Sequence, residues 1–324
     1  MGDVVCALPM INSVRNYYPA AKVILITSSS SRFKEIFTIN SPVDEVIYYD
    51  GGFEKFVNLI NKLRELKIDM AIVPSPVVFS VTNHLIAYFS KARFRIGVRS
   101  RDYENNPVSF LLNIKNDFYW NLKKVHQITR NLDVVRQADI DVSQSKIRIS
   151  LSEPAEKFAE NFISLHFRDA GRKIIGFHPG AGKPSNVWPP DKFAELAFLL
   201  DKAIQPYYYI SEGPDDEKYV GKLLKLLGEK YSLQAVKHKG DILNNIAVIS
   251  RLDLFITNDT GIMHLVSGLN VPLIALFGET FAWEWGPLGD KKVSFQASGR
   301  NISEIEAEEV AEVSLKLLGM RNHE

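Results

Sequence analysis

Residues 254–265 read LFITNDTGIMHL, and this stretch decides the fold class. An apolar run ends at Thr257, and a short polar turn then leads into a helical pattern. A strand that passes directly into a helix is the repeating unit of a parallel α/β sheet. The free N–H groups of such a turn, with a glycine that lets a ligand approach the backbone, predict a diphosphate site. A plain capped helix with a packed histidine has the same pattern. The residues predicted to bind the ligand here are Asp259, Thr260, Gly261 and His264.

A second strand-to-helix connection lies at residues 177–190, FHPGAGKPSNVWPP. Its glycines favour a loop that wraps phosphate, and Lys183 supplies a positive charge. The loop lacks the Gly-Lys-Ser/Thr ending of a P-loop, and an ordinary connection with an exposed lysine would have the same composition. We predict ligand contacts from His178, Gly180 and Lys183.

A third connection, SEGPDDE at residues 211–217, is acidic. Acidic side chains at equivalent positions of Rossmann domains bind ribose hydroxyls. Acidic residues also favour the first turn of any helix, so the pattern has a purely structural interpretation as well. We predict ribose contacts from Asp216 or Glu217.

Strand-like runs alternate with helical patterns along the rest of the chain, including a predicted strand at 147–151 and a predicted helix at 120–138. This rhythm predicts an α/β protein with two Rossmann-like, doubly wound parallel-sheet domains that face each other across a cleft. We place the domains at 1–160 and 161–324. The last helix is expected to pack back on the N-terminal domain.

The beginning of the chain departs from this rhythm. Residues 1–9, MGDVVCALP, are typical of a turn entering a helix, whereas a Rossmann domain begins with a buried strand. We therefore expect either a truncated start or a first domain without its first strand, and we favour truncation.

Composition excludes several classes of protein. The net charge is +1, which gives no general attraction to nucleic acid, and the single cysteine, Cys6, excludes a disulfide framework. No GxGxxG, GxSxG or HExxH motif is present in the required context, which argues against nicotinamide enzymes, serine hydrolases and zinc proteases. Because the net charge is close to zero, an anionic ligand must be bound by local basic groups. For an anionic acceptor we predict Arg99, Arg101 and Lys123. A solvated surface is the alternative interpretation of these charges.

Taken together, these motifs resemble glycosyltransferase family 9, the ADP-heptose:lipopolysaccharide heptosyltransferases. The resemblance rests on the order and spacing of short runs across nearly the whole chain. They are GDVV at 2–5 with LP at 8–9, HPG at 178–180 with WPP at 188–190, GP at 213–214, NDTGIMHL at 258–265, and PLIALFGET at 272–280.

The resemblance implies a GT-B fold, with the acceptor on the N-terminal domain and the nucleotide sugar on the C-terminal domain. It implies inversion at the anomeric carbon, with Asp3 as the catalytic base and no metal or other cofactor required. One position departs from the family. Members commonly carry a donor-binding lysine two residues before the tryptophan of the second motif, where this chain has Asn186, and Lys183 could replace that lysine.

We therefore predict an inverting glycosyltransferase that moves a sugar, most simply heptose from ADP-heptose, to a lipopolysaccharide core or related anionic glycolipid or oligosaccharide. The expected location is the cytoplasm, with peripheral contact at the inner face of the membrane and no nucleic-acid partner. A protein of the same fold that binds nucleotide sugar with weak or no catalysis is the alternative, motivated by Asn186 and by the abrupt start. A sugar-nucleotide 2-epimerase is a further alternative, for which no set of acid and base residues can be placed.

Overall fold

The computed structural model describes residues 1–36, 41–75, 77–142, 146–169 and 171–320. The chain divides into two units, Met1–Ile147 and Arg148–Glu324. This division lies before the predicted boundary at 160, because the helix Glu153–His166 packs against the helix Ile242–Ile249 of the second unit.

The described residues of the N-terminal unit form two small sheets. Strands β1 and β2 form a parallel pair, while β3, β4 and β6 are parallel neighbours and β5 pairs antiparallel with the end of β4. Helix α1 packs against α5. In chain order the elements are α1 (Gly2–Tyr17), β1 (Ile24–Thr27), α2 (Phe33–Ile36), β2 (Glu45–Tyr48), α3 (Phe53–Glu65), β3 (Met70–Ile72), α4 (Val81–Phe89), β4 (Phe94–Arg101), β5 (Glu104–Asn105), β6 (Ile114–Phe118) and α5 (Gln127–Arg136).

The C-terminal unit is built on a six-stranded sheet in which every neighbouring pair is parallel. Its elements are α6 (Glu153–His166), β7 (Ile174–His178), α7 (Pro190–Ile204), β8 (Tyr207–Glu212), α8 (Glu217–Tyr231), β9 (Ala235–Lys239), α9 (Ile242–Ile249), β10 (Leu254–Asn258), α10 (Gly261–Ser267), β11 (Leu273–Phe277), α11 (Ala282–Trp285), β12 (Lys292–Gln296) and α12 (Ala307–Leu317).

The strand order of this sheet fixes where a ligand binds. The order is β9-β8-β7-β10-β11-β12, which is the 3-2-1-4-5-6 order of dinucleotide-binding domains. The order reverses between β7 and β10, and ligands of such sheets bind outside the carboxyl ends of the strands at this switch point. The two motifs predicted to bind diphosphate therefore begin at adjacent strand ends.

Burial explains why this sheet forms. Every residue of β7, β10 and β11 is buried, as expected for central parallel strands covered by helices on both faces. The core cluster includes the wholly buried Trp188 and Phe193, whose rings meet edge to face at 4.8 Å. Pro190 and Asp191 start α7 as expected, because proline needs no hydrogen-bond acceptor in the first turn and an acid there complements the helix dipole.

Several elements differ from the sequence-based prediction. Residues 147–151 are not a strand, and the predicted helix at 120–138 is confined to α5. Strands β5, β6 and β12 were not predicted. The last helix, α12, packs against α7 of its own unit, and its predicted contact with the N-terminal unit stays a prediction.

Candidate functional site

Asn258 ties together the loops that follow β7 and β10. Its side chain is fully buried at the end of β10. The Nδ2 group donates to the carbonyl oxygens of Pro179 and Gly180 at 3.0 and 3.1 Å, and Oδ1 accepts from the Trp188 backbone N–H at 3.1 Å. One amide therefore fixes both ends of the loop between β7 and α7 against the start of the Asp259 loop.

Replacing Asn258 by alanine should lower the free energy of unfolding by about 1–3 kcal/mol, because two carbonyls and one N–H lose their buried partner. Urea unfolding of the variant would measure this as a lower midpoint at unchanged slope. Asn161→Ala, at an exposed position of α6, is the control and should change stability by less than about 0.5 kcal/mol. Equal stability of the two variants would show that Asn258 does not hold the loops.

Asp259 lies at the centre of a second polar network. Its Oδ2 accepts from Thr280 Oγ1 at 2.5 Å and from Asn186 Nδ2 at 3.2 Å. The loops after β7, β10 and β11 thus converge on one carboxylate. Two buried polar atoms around it, Asn186 Oδ1 and Thr260 Oγ1, have no hydrogen-bond partner among the described residues. Buried polar atoms are normally paired, so this place is suited to a polar ligand.

Lys183 lies close enough to this network for its charge to act on Asp259. Its side chain is exposed. Burial raises the pKa of Asp259 above its ordinary value, opposed first by the Thr280 hydrogen bond and then by the charge of Lys183. The structure therefore brings Lys183, Asn186 and Asp259 into one region, and their roles in donor binding stay predictions.

His178 and Asp216 form a second side of the site. His178 Nδ1 lies 3.2 Å from Ser211 Oγ, and Nε2 lies 3.4 Å from Asp216 Oδ2. Burial lowers the pKa of His178 below its ordinary value, opposed by the Asp216 carboxylate. Position 180 requires glycine because Asp216 packs against it: a Cβ there would lie 1.8 Å from Asp216 Oδ1.

The other residues predicted to bind the donor differ in where the structure places them. Gly261 is the first residue of α10, and His264 is buried one turn later with its ring 6.0 Å from that of Trp285. Glu217, by contrast, is largely exposed and pairs with Lys239 at 3.7 Å, so of the two acids only Asp216 lies against His178.

Asp3 lies in the first turn of α1 and is exposed. The position of α1 is fixed by Asn131 of α5, which donates to the Cys6 carbonyl and accepts from the Ser75 N–H, both at 3.1 Å. Ser75 follows β3. The start of α1 therefore lies beside the carboxyl edge of the β3-β4-β6 sheet, the edge at which ligands of parallel sheets bind.

The predicted acceptor residues are mostly engaged within the protein. Arg99 makes a two-pronged contact with Asp117, at 2.8 and 2.5 Å. Arg101 binds Glu104 at 2.6 Å and the Val77 carbonyl at 2.8 Å. Lys123 is exposed and forms no ion pair within the described ranges. Among the described residues, Lys123 is therefore the one of the three without an ion pair.

Two residues of the site were not assigned from the sequence. Asn258 had a usable signal, because a polar side chain that ends an apolar central strand must find buried partners. Thr280 had a weaker one: it follows β11, whose end shares an edge with β10. Its contact with Asp259 depends on the path of the loop.

The family follows from comparison with known proteins. A family model described as glycosyltransferase family 9 (heptosyltransferase) matches residues 56–313. The chain belongs to glycosyltransferase family 9. A lipooligosaccharide heptosyltransferase 2 from Haemophilus influenzae is 32% identical to it over 254 residues, which cover 74% of this chain and 69% of the relative.

Solved structures of similar proteins share the fold. A family 9 glycosyltransferase from Veillonella parvula has a TM-score of 0.77 at 21% identity, covering 98% of this chain and 94% of the other. The E. coli ADP-heptose lps heptosyltransferase II has a TM-score of 0.77 at 22% identity, covering 98% and 95%. The prediction of an α/β glycosyltransferase with the GT-B fold is thereby confirmed.

Proposed function

We propose that this family 9 protein transfers heptose from ADP-heptose to a lipopolysaccharide core acceptor, with inversion at the anomeric carbon. The observation that carries the proposal is the polar network around Asp259, placed at the switch point of a nucleotide-binding sheet. The lipooligosaccharide heptosyltransferase 2 similar to this chain supports heptose as the sugar. An E. coli heptosyltransferase solved with ADP, which shares the fold, is consistent with ADP as the nucleotide.

The C-terminal unit would bind the donor. Lys183 and the N–H groups of Thr260 and Gly261 would hold the diphosphate, because a preorganised charge and fixed donors stabilise a leaving group better than water does. Asp216 would accept hydrogen bonds from the ribose, close to His178. His264 would support the diphosphate or the sugar, and Asp259 would accept from sugar hydroxyls or order the loop. No resident metal is needed for these roles.

The N-terminal unit would bind the acceptor and supply the base. Asp3 would take the proton of the acceptor hydroxyl as its oxygen forms a bond to C1 of the heptose. The bond between C1 and the diphosphate oxygen breaks on the opposite face, and ADP leaves with the electron pair. Lys123 would meet the anionic groups of the acceptor, while Arg99 and Arg101 would act through the loops that they brace.

Asn186 gives the site a specific chemistry. Its Nδ2 is used by Asp259, and its buried Oδ1 can only accept a hydrogen bond. A phosphate oxygen is also an acceptor, so it cannot satisfy this atom, whereas a sugar hydroxyl can. We therefore propose that Asn186 binds the sugar of the donor and that Lys183 alone carries the phosphate role of the lysine that family members commonly have.

Asn186→Ala should weaken ADP-heptose binding by about fivefold to tenfold while leaving ADP binding within about twofold, since one neutral hydrogen bond contributes about 1 kcal/mol. Calorimetric titration of both ligands measures the two effects. Thr280→Val is the matched control, because it removes the other donor to Asp259 without touching Asn186 Oδ1, and it should reduce sugar-dependent binding less. An equal loss of ADP affinity in Asn186→Ala would assign the residue to the phosphates.

The proposed acceptor also sets the location. A lipid-linked acceptor is presented at a membrane surface, so the protein would act in the cytoplasm, in peripheral contact with the inner face of the membrane. Among the helices that the structure describes, none combines the length and the hydropathy that a membrane span requires.

The test of the proposed function is turnover of the donor. ADP release should be measured with ADP-heptose and a Kdo-containing lipid A acceptor. We expect acceptor-dependent release that is lost in Asp3→Ala. Binding of ADP-heptose without any release would instead support a nucleotide-sugar-binding protein without catalysis.

A further inference from the structure

Three loops of the N-terminal unit present exposed apolar side chains at one edge of a sheet. They follow β3, β4 and β6, which are parallel neighbours, so all three emerge at the carboxyl edge. We define the membrane patch as Val77, Val78, Tyr103, Tyr119, Leu122 and Lys123. Four of its residues are more than half exposed: Val77 55%, Val78 74%, Tyr103 77% and Leu122 65%.

Direct contacts hold these loops together. Arg101 Nη1 donates to the Val77 carbonyl at 2.8 Å, which fixes the first loop to the end of β4. The Asp102 carboxylate accepts from the backbone N–H groups of Asn121 and Leu122, at 3.0 and 3.3 Å. The rings of Tyr103 and Tyr119 meet edge to face at 5.3 Å. The apolar side chains are therefore exposed on a braced surface.

The chemistry of the surface identifies its partner. Exposed valine and leucine beside tyrosine and lysine is the composition of a protein surface that inserts into the headgroup layer of a membrane. Lys123 and Lys124 are exposed, and neither forms an ion pair with a described residue. Of the acids nearby, Glu104 and Asp117 are paired with arginines, whereas Asp102 accepts from backbone N–H groups and keeps its charge. Two lysines against one such acid leave the patch with a net positive charge.

We propose that the membrane patch docks this protein on an anionic lipid bilayer. The inference rests on the proposed function in one respect: the patch lies at the sheet edge to which we assign a lipid-linked acceptor. Docking there would hold the acceptor sugars near Asp3 while the lipid chains stay in the bilayer. Each lysine near an anionic surface contributes attraction that salt weakens, and the apolar side chains add a part that salt does not weaken.

Flotation with vesicles tests the proposal. The full chain should float with 3:1 phosphatidylethanolamine–phosphatidylglycerol vesicles and much less with phosphatidylcholine vesicles. Leu122→Asp should reduce the bound fraction at least fivefold. Leu165→Asp is the matched control, because Leu165 is 62% exposed on α6 of the C-terminal unit, and it should bind like the wild type. Lys123→Glu with Lys124→Glu should remove the preference for anionic vesicles.

The outcomes separate the two proposals. No flotation of the wild type, or equal losses in Leu122→Asp and Leu165→Asp, would overturn the membrane patch. Titration of ADP-heptose into Leu122→Asp should give the wild-type Kd, because the donor residues lie in the other unit. A patch-dependent flotation together with no heptosyl transfer would overturn the proposed function and leave the membrane patch supported.

Discussion

Replacing Asp3 by asparagine should lower kcat by about 10²–10⁴-fold and leave the Kd for ADP-heptose unchanged. Asparagine keeps the size and the polarity of the side chain but cannot take the proton of the acceptor hydroxyl, and general base catalysis contributes rate factors of this size. Stopped assays of ADP release under saturating donor and acceptor measure kcat, and calorimetry of the same preparation measures donor binding.

Glu54→Gln is the matched control for Asp3→Asn. Glu54 is likewise an exposed acid in the first turn of a helix of the N-terminal unit, so both changes remove the same helix-dipole interaction, worth about 0.3–1 kcal/mol. The two variants should therefore unfold at similar temperatures and differ only in kcat. An Asp3→Asn variant that keeps more than a tenth of wild-type kcat would remove Asp3 from the role of base.

Replacing Lys183 by methionine should lower kcat by about 10²-fold and weaken ADP binding as well. Lys183 is exposed beside the loops that converge on Asp259, and its charge already acts on that carboxyl. A positive group at the leaving diphosphate stabilises charge that develops in the transition state, and loss of one such donor costs about 10²–10³ in rate. Lys183→Arg should keep the charge and recover part of kcat.

The control for Lys183→Met is Lys225→Met, an exposed lysine on α8 whose carboxylate neighbour is Glu229 at 3.8 Å. It tests whether loss of any surface charge slows the reaction, and we expect wild-type kcat. If Lys183→Met keeps the kcat of this control, then other groups hold the diphosphate. The site would then have no charged residue in place of the lysine whose position Asn186 occupies.

The fold of the C-terminal unit could be predicted because its strands are unambiguous. Strands β7, β10 and β11 are continuous apolar runs, each followed by a turn and a helix, and local sequence agrees with tertiary structure at each of them. The order of the strands in the sheet then locates the site, because it places the loops that follow β7 and β10 side by side.

The strand predictions fail where pairing between strands outweighs the local sequence pattern. Residues 147–151, IRISL, alternate in polarity like a strand but are not one in the structure. Strand β6, IKNDF, contains residues with low strand preference and forms because it pairs with β4. Strand β12 pairs with β11, and KVSFQ is too short for its alternation to be decisive.

The candidate site could be predicted as a set of loops but not as a set of contacts. Sequence spacing placed His178, Asn186 and Asp259 in the same region, and the structure brings them together. The sequence did not show that Asn186 donates to Asp259, nor that Arg99 forms an ion pair with Asp117. Such pairings depend on the paths of loops that are distant in sequence, which neither propensity nor periodicity encodes.

The mass of the acceptor tests the central claim most directly, because ADP release alone would also follow from hydrolysis of the donor. A Kdo-containing lipid A acceptor should be incubated with ADP-heptose and the full chain and then analysed by mass spectrometry. The account predicts a product heavier by one heptosyl residue with the wild type and with Glu54→Gln, and none with Asp3→Asn. An unchanged acceptor mass, with ADP-heptose bound by the wild type, would contradict it.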